Sequence, residues 1–290
     1  MKTFLFMKRL ALNNHNEIDI LGLGTYETKC EEAELAISTA MKEGYRLYDT
    51  AQVYKNEKQV SEAITKTGIS RQDVFITTKV STSNQGYAEA MASVRESLKT
   101  MGQEYVDLVL IHWPGAKGVD LQSPKNKELR HGSYRALLEL QEEGVVRNIG
   151  VSNFMTTHLR DLFEEFEKKP QINQIELSPL CYPKDVVEYC QTNGVVVQSY
   201  STLGRGLLLS EEYLQKYPQL KKMKEKGSLA NQILKWSMDK DCCVIPKSVH
   251  PDRIIENFNA LSQTLDPEDD EFLSNFPVEN RTCWDPYTIA

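Results

Sequence analysis

RLYDTAQVY (residues 46–54), VFITTKV (74–80) and VDLVLIHWP (106–114) are three short apolar runs that each lead to polar chemistry: Asp49 and Tyr54, then Lys79, then His112. An ionisable group at or just past the end of a buried strand, repeated about once per strand plus helix, is how a (β/α) barrel assembles a site on one rim. The repetition points to an enzyme.

The same alternation extends in both directions. LALNNHNEIDILGLGT (10–25) predicts a hairpin with Asn13, Asn14 and His15 in its turn, then a first strand near Ile20 to Gly22. CEEAELAISTAMKEG (30–44) reads as a helix stopped by Gly44. Further strands are expected at 46–50, 74–80, 105–113, 146–153, 172–177, 195–201 and 242–246, eight with the first. Helical segments fall at 56–68, 86–102, 132–144, 155–167, 184–194, 228–239 and 251–261. Eight β-α repeats without a break in composition favour an α/β (β/α)8 TIM barrel over an open sheet, with residues 1–290 as one domain. Two stretches exceed an ordinary barrel loop, 115–132 and 201–227, and both would lie on the catalytic rim. The tail, 277–290, brings the bulky Trp284 and Tyr287 to cover a pocket.

Composition bounds the partners. The 290 residues, 40% hydrophobic and 26% charged, are ordinary for a globular chain. A formal charge of −7 argues against nucleic acid or an anionic membrane as the main partner, since either needs a basic face. The opening apolar stretch TFLFM (3–7) is too short for a secretory leader, and no run approaches the roughly 18 apolar residues of a membrane span. Cys30, Cys181, Cys190, Cys242, Cys243 and Cys283 form no C-x-x-C pair. A soluble, cytoplasmic monomer acting on a small molecule is expected, with no metal.

Moving a hydride onto a carbonyl carbon leaves negative charge on oxygen, so a site for it must supply a proton and stabilise that charge. Tyr54 suits the donor, Lys79 can favour its phenolate, Asp49 can hold Lys79, and His112 can hydrogen-bond the carbonyl oxygen. Singly, each has an ordinary reading: a packed tyrosine, a structural ion pair, a core histidine. Their coincidence at three neighbouring strand ends favours the catalytic one. Tyr54 and Lys58 also spell Y-x-x-x-K, the spacing of another dehydrogenase class. That class needs a glycine-rich phosphate turn, and GLGT (22–25) has only two glycines and no helix directly behind it.

GYRLYDTAQVYKNE (44–57), IHWP (111–114), IGVSNF (149–154), INQIELSP (172–179) and IPKSVHPDRIIENF (245–258) resemble, in order and along nearly the whole chain, the signature motifs of the aldo-keto reductase superfamily. The resemblance implies a (β/α)8 barrel that binds NADPH without a Rossmann domain and reduces small carbonyls to alcohols. It implies Asp49, Tyr54, Lys79 and His112 as the catalytic set, Ser152, Asn153 and Gln174 on the nicotinamide carboxamide, and Tyr200 stacked on its ring. Gly24, Thr25, Tyr26, Ser201, Leu203 and Val249 complete the expected cofactor path, with Glu256 and Asn257 toward adenine. Lys247, Ser248 and Arg253 flank a helix start marked by Pro251, where cations, a hydroxyl and a helix N-terminus converge on a 2′-phosphate. Tyr26, Val53 and Trp113, with Tyr54 and His112, resemble the substrate pocket. His250 stands where a small hydroxyl residue is usual, and Cys283 resembles a residue at the pocket mouth of aldose-reductase-like members. Because fold does not fix function, an NADPH-binding regulatory or structural barrel with little turnover stays open as the alternative.

Overall fold

Short runs buried at nearly every position, with helices between them, close the chain into a barrel. The computed structural model describes residues 7–277 and 280–290; most of the TFLFM stretch and two tail residues, 278 and 279, lie outside it. A hairpin comes first, β1 (Arg9–Ala11) against β2 (Glu17–Asp19), with the expected turn between them. The parallel strands follow as β3 (Leu23–Gly24), β4 (Leu47–Asp49), β5 (Phe75–Val80), β6 (Val106–Ile111), β7 (Val146–Ser152), β8 (Ile172–Glu176), β9 (Val196–Tyr200) and β10 (Cys243–Val244), paired in that sequence. Bridges Leu21↔Val244 and Gly24↔Lys247 join the last strand to the first and close the ring. The first strand therefore starts one residue beyond the expected 20–22, which serves in the closing contacts instead.

Helices α1 (Cys30–Glu43), α2 (Glu57–Lys66), α3 (Tyr87–Met101), α4 (Lys125–Glu142), α5 (Thr156–Glu165), α6 (Lys184–Thr192), α7 (Glu211–Lys216), α8 (Pro218–Lys226), α9 (Leu229–Met238), α10 (Pro251–Phe258) and α11 (Pro267–Ser274) complete the fold. Gly44 ends α1 in the left-handed region, φ 119°, where a Cβ would meet the Phe258 ring at 2.9 Å. Two expected loops are corrected. In 115–132 the second half belongs to α4, which starts at Lys125 rather than at Gly132: a Cβ on Gly132 would meet the Tyr87 backbone nitrogen at 2.9 Å, so this glycine sits inside the helix and permits close packing on α3. Stretch 201–227 holds α7 and α8, whose Tyr213, Leu214, Leu220 and Met223 are buried at helical spacing. Helix α11, led by Asp266 and Pro267, has no counterpart among the expected segments.

The hairpin turn plugs the end of the barrel at which the strands begin. Asn14 and Asn16 side chains both donate to Asn148 Oδ1 at 2.9 Å, and Asn13 donates to Pro170 O at 3.0 Å. The opposite rim, where strands end, is thereby left to the ionisable residues.

The tail crosses that rim and is held at its far end. Met155 N–H donates to His158 Nδ1 at 3.0 Å, so the ring proton lies on Nε2 and donates to Ile289 O at 2.8 Å. Arg130 Nη1 donates to Ala290 O, and Ala290 N–H donates to Leu121 O. Burial pushes His158 down to about 4. The unfolded chain takes up this proton near 6.5 and the folded chain does not, so the unfolded state binds more protons between those values and stability falls as pH falls. His158→Gln should therefore be less stable than wild type at pH 7, with the gap narrowing by about 2 kcal/mol at pH 5 in urea titrations. A gap that stays constant would contradict the neutral, buried histidine.

Candidate active site

Lys79 sits one residue before the end of β5 with its side chain 0% exposed, beside an Asp49 side chain that is 3% exposed at the end of β4. Its Nζ donates to Asp49 Oδ1 at 2.6 Å, to Thr50 O at 2.9 Å and to Tyr54 Oη at 3.4 Å, so all three ammonium protons are directed. Asp49 Oδ2 accepts from Gln174 Nε2 at 2.7 Å, and the same nitrogen donates to Gln198 Oε1 at 2.7 Å. A buried pair repays its desolvation only when such partners satisfy both ions. Burial lowers Lys79 from its ordinary value, opposed by Asp49.

Tyr54 ends a short 3-10 turn, Gln52–Tyr54, that follows β4 directly. Its ring meets Tyr26 edge-on at 5.1 Å and His112 at 5.9 Å, with Lys79 Nζ 4.9 Å from its centre. Burial pushes the phenol well above 10, reinforced by the Asp49 charge, so the phenol carries its proton at neutral pH. Lys79 does not bring the free phenol down toward neutrality; Asp49 offsets its charge. His112 continues the β5–β6 ladder through its N–H to Val80 O at 3.1 Å. Burial first, then the Lys79 charge, depress it to about 3, which keeps the imidazole neutral. One proton-bearing phenol, one neutral imidazole and one buried cation thus lie side by side, with the Tyr26 ring against Tyr54, Val53 next to Tyr54 in the chain and Trp113 next to His112; Tyr26 and Val53 are each 50% exposed.

Other residues named from the sequence join this centre through hydrogen bonds. Thr25 donates from both N and Oγ1 to Asp49 O, at 3.0 and 2.8 Å. Gly24 pairs with Lys247, and a Cβ on Gly24 would meet Ile245 O at 2.7 Å. Asn153, at φ 63°, donates to His112 O at 2.9 Å and accepts Tyr200 O–H at 2.7 Å; Ser152 donates to Gln174 O at 2.9 Å. Ser201 and Leu203 follow β9, and Ser201 Oγ lies 3.9 Å from Cys283 Sγ.

The segment 247–257 borders the site through Gly24. Lys247 and Arg253 are exposed, and among the described residues neither forms an ion pair. Lys247 Nζ donates only to a carbonyl, Glu27 O, at 3.3 Å. Ser248 is buried and accepts His250 N–H at the start of α10; Val249 is half-buried between them. Asn257 is buried on α10, while Glu256 accepts Ser228 Oγ–H at 2.7 Å and so supports the N-cap of α9. Arg205 lies 3.7 Å from Glu27 on the outer rim, and Lys58 faces solvent beside Glu62.

Sequence reading missed several supports. Asn56 accepts Thr50 Oγ1–H and donates to Thr25 O and Thr28 O, tying the ends of β3 and β4. Buried Glu57 accepts Thr78 Oγ1–H at 2.5 Å. Gln198 and Glu176 are buried on β9 and β8. A polar residue in the buried middle of a strand was the available signal for Gln198, and a carboxylate at the end of a strand buried along its whole length for Glu176.

A family model described as the aldo/keto reductase family matches residues 20–273. The chain belongs to the aldo/keto reductase family. Glyoxal reductase of Bacillus subtilis is 37% identical over 261 residues, 90% of this chain and 89% of that protein. A crystal structure of an aldo/keto reductase from Brucella melitensis is 38% identical, with a TM-score of 0.82 over 92% of this chain and 98% of that one. The Bombyx mori aldo-keto reductase, solved in complex with NADP, is 29% identical with a TM-score of 0.82, covering 93% of this chain and 92% of that one. Among the described residues of this aldo/keto reductase, no helix is long and apolar enough to cross a membrane and no group of His, Cys, Asp or Glu could hold a metal.

Removing one ion of the buried pair leaves the other uncompensated, a cost of about 3–5 kcal/mol. Lys79→Met should lose stability on that scale in chemical denaturation, whereas Tyr54→Phe, which keeps the ring contacts, should change it by less than about 1 kcal/mol. Equal, small effects would mean that the pair is not what the barrel interior is built around.

Proposed function

We propose that the protein reduces small aldehydes and ketones to alcohols with NADPH, using Tyr54 as proton donor. The observation that carries this reading is the Tyr54 phenol, proton-bearing at neutral pH and 3.4 Å from a lysine whose ion pair is sealed inside the barrel. When bound, NADPH supplies the hydride; the chain's own residues manage the proton and the charge. Tyr54 Oη–H hydrogen-bonds the carbonyl oxygen and gives up its proton as that oxygen becomes negative. Lys79, held by Asp49, then stabilises the phenolate left behind. Neutral His112 donates a hydrogen bond that orients the same oxygen, and its low proton affinity prevents it from competing as the acid.

Cofactor residues fit an anionic dinucleotide. Lys247 and Arg253 offer uncommitted cations beside a helix start, in a protein of net charge −7, which suits the extra phosphate of NADPH. Ser152, Asn153 and Gln174 offer the mixed donors and acceptors that a carboxamide needs, and Tyr200 the ring face. NADP in the Bombyx mori relative supports the choice of cofactor. Likeness to glyoxal reductase, together with the apolar mouth formed by Tyr26, Val53 and Trp113, supports small α-dicarbonyls and aromatic aldehydes as substrates.

Tyr54→Phe should lower kcat by about 10²–10⁴-fold while NADPH affinity, read by fluorescence titration, stays within about twofold. A matching loss of NADPH affinity would remove Tyr54 from the proton-donor role. Arg253→Ala should weaken NADPH by on the order of tenfold or more, with NADH nearly unaffected, since a charge-assisted hydrogen bond contributes about 1.5–3 kcal/mol. Equal weakening of both would move the 2′-phosphate elsewhere. Tight NADPH binding with no turnover of any carbonyl would return the regulatory or structural barrel.

A further inference from the structure

One buried carboxylate next to the site is used by none of the steps above. Glu176 ends β8, paired in register with Tyr200, and its side chain is 0% exposed. Its Oε1 accepts both the backbone N–H and the hydroxyl of Thr282, each at 2.6 Å. Its Oε2 accepts Cys283 N–H at 3.1 Å, with Arg281 Nη1 at 3.7 Å. Three successive tail residues therefore converge on one carboxylate, which in turn would be buried without these donors if the tail left.

The next residue shows what this attachment controls. The Trp284 ring lies 5.9 Å from Trp113, tilted by 48°, yet Trp284 is 79% exposed. A side chain so open gains little from burial, so its position over the pocket wall is set from behind, by the backbone that Glu176 grips. We propose that Glu176 is a positioning residue for carbonyl reduction: it staples residues 281–283 to the end of β8, and so fixes Trp284 as the outer wall of the substrate mouth. It acts through Trp284 and touches neither substrate nor cofactor. The proposal rests on the reductase reading for its kinetic consequence, but not for its structural one.

The test compares wild type with Glu176→Gln, Trp284→Ala, the double variant and Thr282→Val. Kinetics compare 4-nitrobenzaldehyde, which carries an aromatic ring for the proposed wall to contact, with methylglyoxal, which has none. Trypsin cleavage after Arg281, followed by intact mass, reports the staple directly. Glu176→Gln should raise KM for 4-nitrobenzaldehyde about tenfold, as expected for loss of an aromatic contact, leave kcat on methylglyoxal within about twofold, and speed cleavage at Arg281. The double variant should be no worse than Trp284→Ala alone. Equal loss of kcat on both aldehydes, additivity in the double variant, or unchanged cleavage would each overturn the proposal. Should Glu176→Gln fail to fold, Thr282→Val, which removes one donor and keeps the side-chain shape, must show the same shifts at smaller size; no shift overturns it. If wild type reduces neither aldehyde, the reductase reading fails, and the cleavage rates still decide the staple.

Discussion

A lysine with no exposed surface, paired with an aspartate almost as buried, is the constraint on which the rest of this structure depends. Such a pair is tolerated inside a barrel only if every proton and lone pair finds a partner. Those partners come from beside the pair and from across the ring: Thr50, next to Asp49, supplies a carbonyl, Gln174 reaches over from β8, and Gln198 on β9 holds Gln174 in turn. The polar interior and the rim chemistry are thus one network, and Tyr54 is the member that opens to the outside.

A second network fixes the distance between strands at the rim. Asn153, in a left-handed backbone conformation that asparagine tolerates, links the His112 carbonyl to the Tyr200 hydroxyl. The ends of β6, β7 and β9 are thereby joined. Asn56 does the same for β3 and β4 through Thr25, Thr28 and Thr50. Preorganisation of this kind keeps donors aimed at a developing charge without reorganisation during the reaction.

Much of this was legible in the sequence because strand ends leave a local mark. Asp49, Lys79 and His112 each lie at, one residue before or just past the end of a buried strand, and all three lie on one rim. The later seven parallel strands lie where the sequence places them because burial on both faces makes such strands continuous apolar runs, whereas the first, Leu23–Gly24, lies beyond the expected 20–22. What stayed hidden depends on neighbours distant in sequence. Gly132 reads as the start of a helix and instead lies inside α4, at its contact with α3. Ser61 donates to Met101 O and accepts from Gln103, about forty residues away and invisible to any local pattern. Glu176 looks like a charged residue closing a strand, and only the folded tail reveals its partners.

The claim that this buried pair equips Tyr54 for carbonyl reduction is tested most directly by following the hydride itself. The protein would be incubated with methylglyoxal and NADPH carrying deuterium at both C4 positions, and the product analysed by mass spectrometry. Reduction as described yields an alcohol with one deuterium on the former carbonyl carbon, formed in step with NADPH consumption. Unlabelled alcohol, or no alcohol while NADPH remains bound and unconsumed, would contradict it.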